Sequence, residues 1–260
     1  MKETIIHETN GTVAKVIFND PPTYNSFNLD TITQFANTII SLACDESIRG
    51  IIISGTGRSF CTGGDLKWAS AHPHGPATAF HELSSRFHQS ITEIRNMKKP
   101  VIAAINGIAA GGGFSLALAC DFRIMAKSAL FKQGFTSNGL SIDGGGTASL
   151  QRLVGMARAM EIIAFDEPLS PEKSLEYGLI HQIVSDKELI PESEKLITRI
   201  CNISLHSFGW SKQLLNNSFS STFETQLEAE RLGLSTCAAH RDGVEGIRAF
   251  LEKRRPKFNQ

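Results

Sequence analysis

The chain has 260 residues, enough for one or two domains with a sizeable core, and its 41% hydrophobic and 20% charged residues suit a folded globular protein rather than a disordered one. Lysine and arginine total 26, aspartate and glutamate also total 26, and no run of five like charges occurs, which argues against a nucleic-acid or anionic-membrane partner. Cys44, Cys61, Cys120, Cys201 and Cys237 form no Cys-x-x-Cys pair and leave one over in any disulfide scheme, so reduced thiols and no metal site are expected.

From the N-terminus, residues 5–8 and 13–18 are predicted as a β-hairpin, with Asn10-Gly11 supplying the two positive φ values of a type I′ turn. Residues 1–11 lack the basic, apolar and small-residue order of a leader, and no later stretch approaches the roughly 18 apolar residues of a membrane span, so a cytoplasmic location is expected. Ile32, Phe35, Ala36, Ile39, Ile40 and Ala43 follow a helical period over 29–43. A buried strand is expected over 50–54, then a first glycine-rich segment, Arg58-Ser59-Phe60-Cys61-Thr62-Gly63-Gly64-Asp65-Leu66. Residues 68–78, with His72-Pro73-His74-Gly75-Pro76, show little periodicity and are expected to form a mobile loop before a helix over 80–97. A strand over 101–105 leads to a second glycine-rich segment, Asn106-Gly107-Ile108-Ala109-Ala110-Gly111-Gly112-Gly113, followed by a helix over 114–120 and a strand over 122–125. Beyond Gly146 helices dominate, over 156–165, 171–177, 188–203, 208–217 and 223–239. Repeated strand, turn and helix predict an α/β fold with right-handed crossovers and a mainly parallel sheet. A boundary near Leu205 divides a core of residues 1–204 from a helical region of residues 205–260.

Each glycine-rich segment follows an apolar strand-like run and is therefore placed at a strand end. The helix after the second would direct its free N–H groups and positive dipole end at developing negative charge. One glycine cluster alone is a tight turn, whereas two backbone donors converging on one oxygen make an oxyanion hole. Asp143 precedes three glycines and sits among Leu140 and Ile142. Desolvation there is expected to raise its pKa from about 3.9 and make it a better base, although an Asp in such a turn also suits capping of the helix starting near Thr147. His88 beside Phe87 on an amphipathic helix reads as packed or solvated, Asp65 as a helix cap, and Cys61, Cys120 and Trp68 as packing residues.

The two glycine-rich segments, with Pro21-Pro22-Thr23-Tyr24-Asn25-Ser26-Phe27 and Phe250-Leu251-Glu252-Lys253-Arg254, resemble the crotonase (enoyl-CoA hydratase/isomerase) superfamily over nearly the whole chain. The resemblance implies a spiral of ββα units with a C-terminal helical domain that packs on neighbouring subunits, hence a homotrimer or dimer of trimers. It implies an acyl-CoA thioester substrate, with CoA arriving as part of it and no other cofactor, and a thioester oxygen held by the N–H groups of Gly64 and Gly112. It also puts Thr23 and Tyr24 on the CoA groove, where a plain loop is the other reading, and Thr62, Asp65 and Leu66 near the pantetheine and adenine; Lys253 could reach a CoA phosphate or be simply the solvated end of a helix.

Hydratases of the superfamily hold a water between two glutamates, at positions occupied here by Ser115 and Phe135, so hydration lacks its agent. The segment Asn138-Gly139-Leu140-Ser141-Ile142-Asp143-Gly144-Gly145-Gly146-Thr147 is similar to that of the ring-opening epoxyphenylacetyl-CoA isomerases, and to a Glu-bearing segment of some peroxisomal Δ3,Δ2-enoyl-CoA isomerases. In both, the carboxylate shuttles a proton between carbons of a CoA thioester. The stretches Thr225-Gln226-Leu227-Glu228-Ala229-Glu230-Arg231 and Asp242-Gly243-Val244-Glu245-Gly246 also look like the ring isomerases. The implied activity is therefore isomerisation, with Asp143 as general base and acid. The 4-chlorobenzoyl-CoA dehalogenases carry a nucleophilic Asp at the position of Asp143 and a His at that of His88, but their Trp falls at Phe135. A hydrolase acting through Asp143 is the alternative, beside a hydratase in name only and a CoA-binding subunit without catalysis.

Overall fold

The computed structural model of the chain describes residues 3–260. Short β-branched and apolar runs pair as strands, and longer runs of helical period pack against them. A hairpin of β1 (Ile5–Asn10) and β2 (Val13–Phe18) precedes helix α1 (Leu29–Cys44). Units of two strands followed by helix then repeat: β3 (Gly50–Gly55) and β4 (Ser59–Cys61) with α2 (Leu66–Ser70) and α3 (Gly75–Asn96); β5 (Val101–Ile105) and β6 (Ile108–Ala110) with α4 (Gly112–Ala119); β7 (Phe122–Ala126) and β8 (Leu130–Lys132) with α5 (Gly146–Phe165) and α6 (Pro171–Glu176). Strand β9 (Gln182–Val184) leads to α7 (Leu189–Cys201), α8 (Leu205–Asn217), α9 (Phe223–Ala239) and α10 (Arg241–Leu251).

The first strand of each unit joins a six-stranded sheet ordered β1-β2-β3-β5-β7-β9, and the second joins a three-stranded sheet ordered β4-β6-β8. Among the strand pairs of the described residues, β1–β2 is antiparallel and the others are parallel. The chain thus winds as a spiral, each turn laying one strand on each sheet. Ile51, Ile52, Ile53 and every residue of β5 are fully buried, as expected for parallel strands covered on both faces. Helix α8 is tied to this core by Lys212, whose Nζ donates to Ile94 O, Lys99 O and Asp121 Oδ2.

Several expectations change in detail. Asn10 pairs with Val13, so the hairpin turn is Gly11-Thr12, and only Gly11 has a positive φ (+60°), which fits a type II′ rather than a type I′ turn. Residues 68–78 are not one irregular loop: they contain the end of α2, a turn and the start of α3. The Asp65 carboxylate accepts from Lys67 N and Trp68 N to start α2, and Pro76 lies in the first turn of α3, where its missing N–H costs nothing. The glycine-rich segments do follow β3 and β5, but they are not turns throughout: β4 and β6 lie within them, each too short to show a period in the sequence. Helix α10 also escaped the pattern reading; its apolar side chains Val244, Ile247, Phe250 and Leu251 lie exposed on this single chain.

Candidate active site

Strands β4 and β6 are parallel neighbours, with Ser59 opposite Ile108 and Cys61 opposite Ala109, so the two glycine turns leave the small sheet side by side. They touch. Gly63 has φ +85°, and a Cβ there would stand 2.5 Å from Gly112 N, so only glycine allows this approach. Phe27 N donates to Gly63 O at 2.8 Å and Asp65 N to Phe27 O at 3.0 Å, which pins Gly64 between them. Gly111 caps α4, placing Gly112 as its first residue with an N–H that has no intrahelical partner. Among the described residues no acceptor is engaged by either the Gly64 or the Gly112 N–H. Both glycines line one cavity of about 350 Å³, walled by Phe27, Phe80, Leu83, Phe87, Phe135 and Leu140.

Asp143 lines the same cavity and is the one ionisable side chain among its lining residues. Its loop is held by Gly144 and Gly145, both at positive φ; a Cβ on Gly144 would lie 2.3 Å from the Phe87 ring. Gly145, not Asp143, caps α5, which leaves the carboxylate free to face α3. There His88 Nε2 lies 2.6 Å from Oδ1 and Ser84 Oγ donates to Oδ2 at 2.7 Å. Ser84 and His88 are one turn apart, so a single helix face presents both. Burial pushes the Asp143 carboxyl up, but hydrogen bonds from Ser84, His88 and Gly144 N outweigh it and hold the group below its ordinary value. The expectation of a raised pKa is therefore overturned, because the apolar neighbours are accompanied by donors supplied from a distant helix.

The two positions that hydratases fill with glutamate bear no carboxylate here. Ser115 is fully buried behind Gly144 and Gly146, with its Oγ unpartnered, and Phe135 is a wall of the cavity. The Phe135 backbone is fixed by buried Gln133, whose Oε1 accepts from Phe135 N, and by Asp166, which accepts from Gly134 N and Ser137 N. Burial pushes the Cys61 and Cys120 thiols up to about 12, so neither offers a thiolate.

The remaining predicted residues lie outside the cavity lining. Thr23 and Tyr24 form an exposed turn, where Tyr24 OH accepts from Arg58 and Tyr24 O accepts from Thr62 Oγ1. Asp65 caps α2, Leu66 opens it with an exposed side chain, and Lys253 is exposed just past α10. Pattern reading missed Ser84, Phe80 and Leu83 as cavity residues, and Asn25, which is buried and braces the connection between β3 and β4. Asn25 Oδ1 accepts from Asp20 N, while its Nδ2 donates to Thr56 O and Ser59 O. Its φ of +57° is a conformation that Asn tolerates better than most residues, a signal visible only with the backbone in hand.

A family profile described as enoyl-CoA hydratase/isomerase matches residues 8–260. The chain is 36% identical to a 1,2-epoxyphenylacetyl-CoA isomerase of Escherichia coli K12, covering 99% of each sequence. It is 33% identical to a crotonyl-CoA hydratase of Syntrophomonas wolfei, covering 98% of each. The crystal structure of an enoyl-CoA hydratase from Polaromonas sp. JS666 superposes with a TM-score of 0.92 at 32% identity, over 98% of this chain and 99% of that one.

Proposed function

This chain belongs to the enoyl-CoA hydratase/isomerase family and has the crotonase fold, and we propose that within the family it is an acyl-CoA isomerase. The thioester carbonyl oxygen sits between the Gly64 and Gly112 N–H groups, where two preorganised donors stabilise an enolate. Asp143 takes a proton from one carbon and returns it to another, shifting the double bond or rearranging the acyl group. CoA comes with the substrate, and neither metal nor further cofactor takes part.

One observation carries the choice of isomerase: the cavity that contains the hole has a single ionisable side chain, Asp143, among its lining residues. Adding water across a double bond calls for groups that both activate the water and protonate the neighbouring carbon, whereas a proton shuttle needs one. Phe135 and the sealed-off Ser115 leave no second carboxylate to hold a water. Exposed apolar side chains on α9 and α10, such as Phe223 at 74% and Phe250 at 82%, support assembly through the C-terminal helices into a trimer or dimer of trimers.

The test is a 3-enoyl-CoA in deuterated water. Isomerisation with solvent deuterium entering the product, and hydration of crotonyl-CoA at a small fraction of that rate, are expected; efficient hydration overturns the reading. The contact of His88 with Asp143 favours a second reading, hydrolysis through an aspartyl ester. Turnover in heavy-oxygen water distinguishes them, since an ester cleaved at its acyl carbon labels Asp143 and a base does not. No label is expected.

A further inference from the structure

We propose that Oδ2 of Asp143 is the oxygen that takes and returns the substrate proton, and that Ser84 is its positioning residue, its hydroxyl turning from donor to acceptor as the proton arrives. The inference rests on the reading of Asp143 as the base, and it assigns a role to a side chain that no glycine or carboxylate motif marks. Helix α3 holds the two carboxylate oxygens with different chemistry. Oδ1 is bound by the His88 imidazole and Oδ2 by the Ser84 hydroxyl, at 2.6 and 2.7 Å. The His88 side chain is 52% exposed and does not line the cavity, whereas Ser84 does, so the Oδ2 side of the carboxylate is the one toward the acyl group.

The donors also differ in what they tolerate. An imidazole N–H facing an ionised carboxylate can only donate, so a proton added to Oδ1 would meet that hydrogen head-on unless the ring changed tautomer. A hydroxyl is both donor and acceptor and rotates about one bond. In the forward step the substrate C–H bond breaks, its electron pair passes to the enolate held by Gly64 and Gly112, and the proton forms a bond to Oδ2. The Ser84 hydroxyl then accepts from the new Oδ2–H, its own hydrogen turning to the carbonyl four residues back, a bond helical serines commonly make. Delivery to the second carbon reverses these moves, and His88 holds Oδ1 throughout. Among the described residues His88 is the one titratable group acting on Asp143.

Ser84→Ala, Ser84→Cys, Ser84→Thr and Asp143→Asn are compared in kcat, KM and the pH profile of kcat/KM for a 3-enoyl-CoA from pH 4.5 to 8, with circular dichroism as the check on folding. Ser84→Ala is expected to keep KM within about two-fold and to lose roughly ten-fold in kcat, since Oδ2 loses both the contact that aims it and the hydroxyl that accepts from the new Oδ2–H, a loss that outweighs the gain in basicity. Its acid limb should move to higher pH, because the carboxylate loses a donor that favours the ionised form. Ser84→Cys, a weaker donor, should fall between Ala and wild type, which keeps the idea testable if the alanine variant does not fold. Ser84→Thr keeps the hydroxyl and should restore both kcat and the limb. Wild-type kcat and limb in the Ala or Cys variant, or a Thr variant as impaired as Ala, would overturn the role of Ser84. Full turnover by Asp143→Asn would instead overturn the base itself.

Discussion

In the proposed site the oxyanion hole is made of backbone and the acid–base group of side chains, so the two halves should fail in different ways. The hole depends on two turns that touch, so it is sensitive to any atom added where Gly63 meets Gly112 N or where Gly112 faces the Phe27 ring. The base depends on a clamp that spans 55 and 59 residues of sequence, from His88 and Ser84 to Asp143, and can be adjusted one hydrogen bond at a time. On this proposal backbone gives a fixed electrostatic target, while side chains set how readily a proton moves.

The largest effect is expected where the clamp loses its centre. Asp143→Asn keeps the volume and a partner for Ser84 but cannot accept the proton, so kcat should fall by about 10² to 10⁴ while CoA-ester affinity stays within a few-fold. Stopped-flow turnover beside isothermal titration separates the two quantities. Most of kcat surviving would remove Asp143 from the chemistry.

Gly112→Pro attacks the other half. Deleting one donor of a preorganised pair should cost about 10² to 10³ in kcat. A Cβ at this position also meets Phe27 Cζ at 2.6 Å, so secondary structure and oligomer size must be confirmed before the kinetics are read. The pH profile sharpens the contrast. A hole variant should keep the acid limb of the wild type, because Asp143 and its donors are untouched, whereas a clamp variant should not.

The same division decides how much could be read from the sequence. The meeting of the two glycine turns was legible because glycines permit close approach, and the strands before them are apolar enough to place. What their spacing hid was β4 and β6, three residues each, which bring the turns together through a second sheet. Asp143 was legible as a carboxylate among glycines, but the direction of its pKa was not. That depended on Ser84, an unremarkable residue of a helix, and on Gly145 rather than Asp143 capping α5. Asp121 shows the reverse balance: burial dominates and raises its pKa despite a 2.8 Å contact with Lys212. Two aspartates with partners in one chain shift in opposite directions, and the sequence around each carries no sign of which effect wins.

The smallest effect, and the finest test of the clamp, is expected at His88. His88→Ala removes the donor to Oδ1 but leaves Ser84 on Oδ2, so a base should lose less than about ten-fold in kcat. With one donor gone, the Asp143 pKa should rise toward its ordinary value, and the acid limb of kcat/KM should move to higher pH. Stability should barely change, by about 0.5 kcal/mol or less, because the paired side chains are 52% and 35% exposed and water screens them. What difference there is has a defined pH dependence. The folded carboxyl lies below its unfolded value, so the wild type should be the more stable of the two above the ordinary Asp range of about 4, and that advantage should vanish as the pH falls below it. Thermal unfolding of both proteins at pH 7 and at pH 3 measures this directly. A nucleophilic Asp143 gives a different result, since hydrolysis of its ester needs a base to activate water. The variant would then accumulate a covalent acyl adduct on the peptide containing Asp143, visible by mass spectrometry, with turnover lost far more heavily than the loss of one donor explains.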